Sequence, residues 1–303
     1  MLRSVLLALS ENGTVRRWME TSPTADRLTS RFVAGHSIDQ EIKVIQRLAR
    51  DGVLATVDYL GEHVKSVEEA ARTRDTYISI LDGVASLQVG ATISIKLTQF
   101  GLAISTDLCR ENVDPLAARA KQLGTTVEID MESSDYVDRT LQIVSGMHAR
   151  HGSVRAVIQA YLYRSEKDID CLCRERVPIR LCKGAYKEPA GVAFQKKSEV
   201  NANYIRLMHK ILEDGAGPAI ATHDENMVTE ALSTVKARNL TPDRFEFQML
   251  YGIRRDLQRR IVENGYRLRL YVPYGDAWYP YFMRRLAERP ANVMFLVRNF
   301  FRR

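Results

Sequence analysis

A chain of 303 residues, 45% hydrophobic and 27% charged, is long enough to bury a substantial core and too evenly mixed to be fibrous or disordered. No apolar run approaches membrane-spanning length, and four cysteines (Cys109, Cys171, Cys173 and Cys182) make no disulfide framework at this size, which points to a reducing cytoplasm. The formal charge of +7 favours anionic partners, either nucleic acid or an anionic membrane surface.

The N-terminal "MLRSVLLALSENGTVRRWM" has a short apolar run without a small-residue cleavage pattern, so it reads as a soluble helix and not a signal peptide. Residues 1–50, ending in "RFVAGHSIDQEIKVIQRLAR", are predicted as a helical segment packed outside the rest of the chain. From 51 to 303 the pattern is alternation. Strand-like runs occur at "LATVDYL" (54–60), "TISIKL" (92–97), "TVEIDM" (126–131), "RAVIQAYL" (155–162), "PIRLCKG" (178–184), "PAIATH" (218–223), "RFEFQML" (244–250) and "RLRLYVPYG" (267–275). Between them, stretches such as "DPLAARAKQLG" and "EVNANYIRLMHKILEDG" repeat apolar residues at helical spacing, and Gly124, Gly215 and Gly265 stand where a helix must stop. Eight such units predict a (βα)8 TIM-type barrel with extra N-terminal helices, as a single domain, because no linker rich in Pro, Gly or Ser interrupts it. A doubly wound sheet is the alternative, but neither G-x-G-x-x-G nor G-x-x-x-x-G-K-[ST] is present. No metal site is expected: Cys171-Leu172-Cys173 has the wrong spacing for a zinc knuckle, and His148 and His151 read as a solvated pair.

In a barrel of this type the active site forms at the C-terminal ends of the strands. Those ends carry Asp58 and then Glu62, Lys96, Asp130, Gln159, Arg180 with Lys183 and Gly184, Thr222 with His223, Gln248, and Tyr271. A ring of such groups must pair internally, with water or with a ligand. Near the end of the chain "WYPYFMRRLAE" reads as a helix with Pro280 in its first turn. Arg284 and Glu288 lie four apart and can pair, and Arg285 lies four after Tyr281. The cations Lys96, Arg180, Lys183, Arg284 and Arg285 outnumber the anions Asp58, Glu62, Asp130 and Glu288, which suits an anionic substrate and a phosphate-bearing cofactor. In "KGAY", Gly184 lets backbone approach a cofactor and Lys183 can meet a phosphate. Two other classes compete: a Schiff-base lyase using Lys96 or Lys183, and a basic nucleic-acid or membrane-surface binder. The nucleic-acid reading lacks a recognition motif, and its basic residues are spread along the chain.

Several ordered motifs, "RLCKGAY", "IQAYLYRS", "ATHDENM", "FEFQMLYGIRRDLQ" and "YVPYGDAWYPYFMRRLAERPANV", resemble proline dehydrogenase in its short, monofunctional bacterial form, from about residue 31 to 293. The resemblance implies a distorted barrel holding FAD, which oxidises L-proline to 1-pyrroline-5-carboxylate and passes electrons to a membrane quinone. By motif position, Arg284, Arg285 and Lys96 resemble the cations that grip the proline carboxylate, Glu288 their supporting acid, and Glu62 a gating partner of Arg284. Asp130, Leu250, Tyr271 and Tyr281 resemble further pocket residues. Met131, Gln159, Arg180, Lys183, Gly184, Ala185, Thr222 and His223 resemble flavin-site positions, with Arg180 near the reactive edge. Asp130 is read as a partner of Lys96 and not as a base, so orientation is the protein's main task. The resemblance also implies contact with the pyrroline-5-carboxylate dehydrogenase of the same pathway, and the "FFRR" tail suits peripheral membrane contact on the cytoplasmic side. Two positions depart from the family pattern: Cys182, where a larger aliphatic residue or Met is usual, and Thr98 with Gln99, where small serines are usual.

Overall fold

The computed structural model describes residues 29–61 and 64–288 together with Arg17, and for 284–288 the helical backbone alone. The chain enters through α1 (Ile38–Arg50), whose start is set by a capping box: Ser37 accepts from Gln40 N while the Gln40 side chain bonds the Ser37 backbone. Then strand and helix alternate: β1 (Leu54–Tyr59), α2 (Val67–Ala85), β2 (Thr92–Lys96), α3 (Thr106–Gln122), β3 (Val127–Asp130), α4 (Val137–His151), β4 (Val154–Gln159) and α5 (Ser165–Arg174). The second half continues with β5 (Ile179–Cys182), α6 (Lys197–Asp214), β6 (Ala219–Ala221), α7 (Glu225–Ala237), β7 (Glu246–Leu250), α8 (Arg255–Glu263), β8 (Leu268–Tyr274) and α9 (Trp278–Glu288). The strands pair in parallel in chain order and β8 closes on β1, so the predicted (βα)8 barrel is the observed fold; each predicted run matches one strand, β4 starting one residue earlier than its run.

Strands buried on both faces usually read as continuous apolar runs. These do not. Val57, Ile93, Ile95, Val127, Ile129, Ile158, Leu181, Phe247 and Val272 are buried against the helices and alternate with polar residues that face the barrel axis. The main core is therefore the shell between strands and helices, whose helix side includes Tyr77, Leu81, Leu116, Ile143, Tyr204 and Leu207. Side-chain caps from Ser66, Ser105 and Asp224 start α2, α3 and α7, each stabilising its helix by about 1 kcal/mol.

One local expectation is corrected. His151 is not solvated: its Nε2 lies 3.0 Å from Asp114 Oδ1, and the Nδ1 of His148 is buried without a partner. At Gly215 the expected helix stop is met: it follows α6 with extended backbone (φ −76°), and glycine is needed there because a Cβ would stand 2.4 Å from Ile211 O.

Helix α1 packs on β1 and β8 and buries Glu41 completely, with no hydrogen-bond partner for either carboxylate oxygen. Burial first, and the nearby Asp58 second, raise its pKa well above the ordinary 4.5. Folded Glu41 then keeps its proton at pH values where the unfolded chain has lost it. Its contribution to stability is complete below the unfolded carboxyl pKa of about 4.3 and is lost as pH rises toward the raised folded value. Glu41→Gln is accordingly expected to gain Tm over the wild type progressively from about pH 5 upward. A Tm difference constant from acid to neutral pH would contradict a protonated buried acid.

Candidate active site

The barrel axis is filled by ions where branched aliphatic layers are the rule. In the lower layer, Glu128 on β3 and Glu246 on β7 sit among the guanidinium groups of Arg155, Arg180 and Arg269. Arg155 Nη1 is 2.5 Å from Glu246 Oε1 and 3.4 Å from Glu128 Oε1. Arg180 Nη1 is 3.2 Å from Glu128 Oε2, and Arg269 Nε is 2.9 Å from Glu246 Oε1. Gln248 Nε2 donates to Glu128 Oε2 (3.1 Å) and Glu246 Oε1 (2.8 Å), and the Thr56 hydroxyl reaches Glu128 at 3.1 Å. Burial by itself would raise both glutamate pKa values, but the surrounding arginines together outweigh it and lower them. Both acids are thus ionised at neutral pH.

Above this layer, toward the strand ends, lie five residues singled out from the sequence: Asp58, Lys96, Asp130, Arg180 and Tyr271. Asp130 accepts from Arg180, from Ser94 Oγ (2.8 Å) and from the Tyr271 hydroxyl (2.8 Å). Lys96 Nζ is 2.9 Å from Asp58 Oδ1, 3.3 Å from the Tyr271 hydroxyl and 3.5 Å from Asp130 Oδ2. Arg180 also stands over the Tyr271 ring, 5.5 Å from its centroid. Arg180 spans both layers, so the upper cluster rests on the lower one. The Lys96 side chain keeps 30% exposure, whereas its partner Asp58 keeps 1%, so the ammonium is the part of this pair that reaches the opening.

Each group's charge state follows from its neighbours. Burial opposes charge on Lys96, but Asp58 and Asp130 together raise its pKa above the ordinary value. Burial likewise pushes Asp130 up, yet Arg180 and Lys96 lower it overall. Tyr271 is raised well above its ordinary value by burial and then by Asp130 and Asp58, so it remains a phenol and donates. A Schiff-base lysine needs a readily accessible neutral amine. Lys96 is held as a cation, and Lys183 is shared by Asp224 Oδ2 (2.8 Å) and Asn201 Oδ1 (2.7 Å). Neither arrangement favours the lyase.

Around the mouth, Gln159 Nε2 donates to Met131 O (3.2 Å), leaving its Oε1 buried without a partner. Gly184 has φ +109°, and a Cβ there would stand 2.3 Å from the Tyr161 ring. Only glycine fits both the backbone and the contact. Ala185 beside it is exposed. His223 Nε2 accepts from Leu250 N (2.8 Å), which places the ring proton on Nδ1, and the Thr222 hydroxyl accepts from Asp224 N (3.1 Å). The first turns of α9 bring Tyr281 into an apolar cluster with Trp278, Phe282, Phe32, Leu60 and Ile253, against which Leu250 packs.

Comparison with known proteins decides the class. The family model for proline dehydrogenase matches residues 41–298. Proline dehydrogenase 1 of Bacillus subtilis is 40% identical over 299 residues, covering 98% of each chain, and the proline dehydrogenase of Deinococcus radiodurans is 42% identical over 277 residues, covering 89% of each. This chain belongs to the proline dehydrogenase family. It is thereby one of a family of flavin-dependent proline oxidoreductases. The fold agrees with the crystal structure of proline utilization A (PutA) from Bdellovibrio bacteriovorus inactivated by N-propargylglycine, at a TM-score of 0.84 and 24% identity. That likeness covers 99% of this chain and 38% of the longer one.

The residues at the mouth fit a flavin. The unpartnered Gln159 Oε1 is an acceptor awaiting an N–H donor, and Lys183 brings a cation to the same end of the barrel, paired there with Asp224. Burial pushes the Cys182 thiol up to about 11, so it packs as a thiol and is not a nucleophile. At the other departure, Thr98 donates from its backbone N (3.0 Å) and hydroxyl (2.6 Å) to Glu132, and buried Gln99 accepts from the Tyr77 hydroxyl (3.3 Å). Thr98 and Gln99 thus tie this rim to Glu132 and Tyr77.

The expected cation surplus is not found inside the barrel among the described residues. There Lys96, Arg155, Arg180 and Arg269 meet Asp58, Glu128, Asp130 and Glu246 one for one. Glu128, Arg155, Glu246 and Arg269 were missed by looking only at strand ends. The signal was present: Glu128 and Glu246 precede Asp130 and Gln248 by two residues, and so share their face of the strand. Glu62 and the side chains of Arg284, Arg285 and Glu288 lie outside the described residues.

Proposed function

We propose that this chain oxidises L-proline to 1-pyrroline-5-carboxylate, with FAD at the barrel mouth and a membrane quinone as the final acceptor. The observation that carries the reading is the upper cluster, where Lys96, Asp130, Arg180 and Tyr271 converge with fixed charge states just below the opening. Family membership supplies the substrate class.

Met131, Gln159, Arg180, Lys183, Gly184, Ala185, Thr222 and His223 would hold the flavin. Bound there, the flavin would supply at N5 the acceptor for the hydride of proline C5. The chain's own task is to bind and orient. Arg284, Arg285 and Lys96 would hold the carboxylate, with Glu288 supporting the arginines, and Leu250, Tyr271 and Tyr281 would wall the ring. Asp130, ionised and already accepting three hydrogen bonds, serves to hold Lys96, Arg180 and Tyr271 in place. It is a poor base, because its pKa is lowered. Glu62 would close the site by pairing with Arg284. The segment 1–50 and the barrel 51–303 are read as one domain. The protein is taken to work at the cytoplasmic side of the membrane, in peripheral contact with it and with the dehydrogenase that consumes the product. Among the described residues no helix is long and apolar enough to cross a membrane.

A visible spectrum of the purified protein, before and after anaerobic proline, tests this reading. A flavin band that bleaches on adding proline supports it. A colourless protein, or borohydride trapping of a carbonyl substrate on Lys96, would overturn it in favour of the lyase. Arg285→Met is expected to raise the proline KM by about 10- to 100-fold with flavin content unchanged, since a charge-assisted bond contributes roughly 1.5–3 kcal/mol. An unchanged KM would remove Arg285 from the carboxylate site.

A further inference from the structure

Two glutamates at the mouth, neither of them singled out from the sequence, hold loops together in the same way. Glu132, just past β3 and buried, takes both donors of Thr98 in the loop after β2. Its Oε1 accepts from the Thr98 backbone N (3.0 Å) and its Oε2 from the hydroxyl (2.6 Å). Glu188, in the loop after β5, does the same to Ser134 in the loop after β3. Its Oε1 accepts from the Ser134 backbone N (2.8 Å) and its Oε2 from the hydroxyl (2.5 Å). Gripping two donors of one residue fixes direction as well as distance, as in other bidentate pairs.

The second clasp joins loops that are not neighbours, because β4 lies between β3 and β5. The loop after β5 first folds back onto the turn after β4. Tyr161 N donates to Lys183 O (2.9 Å), Phe194 N to Tyr161 O (2.8 Å) and Tyr163 N to Val192 O (3.1 Å), and the Tyr163 hydroxyl donates to Ala190 O (3.0 Å). From that base, residues 185–192 are all exposed except Glu188, which is turned in to reach Ser134. An acid in so exposed a stretch is ordinarily hydrated. This one closes an arch from β5 to β3. Met131 immediately precedes Glu132, and Lys183, Gly184 and Ala185 open the loop that carries Glu188. All four are among the residues proposed for the flavin. Between the feet of the arch, β4 ends at Gln159, whose Oε1 has no partner.

We propose that Glu132 and Glu188 are positioning residues for the flavin, joining the loops after β2, β3 and β5 into a belt that must part before the cofactor can leave. The inference rests on the flavin site proposed above. It adds two residues that hold the walls of that site without being assigned to the cofactor themselves.

The test follows FAD leaving the full-length holoenzyme, read as the rise in flavin fluorescence after dilution. Glu188→Ala is expected to speed release by about tenfold, the effect of losing two hydrogen bonds to one carboxylate. Glu188→Gln should restore much of the slow release, since an amide can still accept from Ser134 N and donate to its hydroxyl oxygen. Ser134→Ala and Thr98→Val each remove a single hydroxyl, one from each clasp, and should speed release by a few-fold. Adding Ser134→Ala to Glu188→Ala should change little, because both break the same clasp. As a control, Asp82→Ala cuts an ion pair with Arg119 (2.7 Å) between α2 and α3 at the opposite end of the barrel, and is expected to release FAD as the wild type does. Release from Glu188→Ala at the wild-type rate would overturn the proposal. Where that variant does not fold, the same result for both hydroxyl variants overturns it. Equal acceleration by Asp82→Ala would reduce the effect to general loosening and overturn it too. A wild type that binds no FAD would remove the flavin site itself, and the belt's role with it.

Discussion

Glu128→Ala is expected to destabilise the protein by about 3–5 kcal/mol, the usual result of removing one partner from a buried ion network. The carboxylate is fully buried and receives Arg155, Arg180 and Gln248, with Arg269 Nε 3.9 Å away. Its loss leaves three guanidinium groups with Glu246 and Asp130 as the remaining nearby carboxylates, in a place where an unpaired charge cannot be rehydrated. A fall in Tm on the order of 10 °C should follow, together with weakened flavin retention, because Arg180 is positioned from below by Glu128. A variant with Tm within about 2 °C of the wild type would mean that the axis is hydrated and not a dry network. Acid should act on the same network. Glu128 and Glu246 have pKa values lowered from 4.5, so their contribution is complete above the unfolded value and is lost as pH falls through the folded ones. Glu41 has the opposite sign, so the two kinds of buried glutamate bound the stable pH range from opposite sides.

Lys96→Met is expected to lower proline kcat/KM by about 100-fold or more, through loss of a charge-assisted contact and of the order it imposes on Asp130 and Tyr271. The same change strands Asp58, which is 1% exposed and hydrogen-bonded to Lys96 Nζ at 2.9 Å. Stability should therefore fall as well, by a few kcal/mol. The double variant Lys96→Met/Asp58→Asn separates the two effects. It should recover most of the lost Tm, since no buried charge is then left unpaired, and recover little of the lost kcat/KM. If activity returns together with stability, Lys96 is a structural partner of Asp58 and has no direct role toward substrate.

How far these residues could be read beforehand depends on what fixes them. Strand periodicity is a local property, and by locating the strands it marked Lys96, Asp130, Arg180 and Tyr271 as lying toward one end of the barrel. It also marked all eight runs that became strands. The pairing of Lys96 with Asp58 across β1 and β2, or of Arg180 with Glu128 across β3 and β5, is not local. It depends on the register at which neighbouring strands meet, such as Lys96 opposite Asp130 and Val157 opposite Arg180. A slip of one residue would turn each of these side chains to the other face.

By itself the amino-acid order determined the barrel, the end at which chemistry gathers and the family resemblance, because these rest on period, composition and contiguous motifs. Tertiary structure alone decided that the described charges inside the barrel balance, that Lys183 is divided between Asp224 and Asn201, and that Glu41 is sealed without a partner. Each of those depends on which distant segments closure of the sheet brings within a few ångströms, and no local pattern along a strand encodes that meeting.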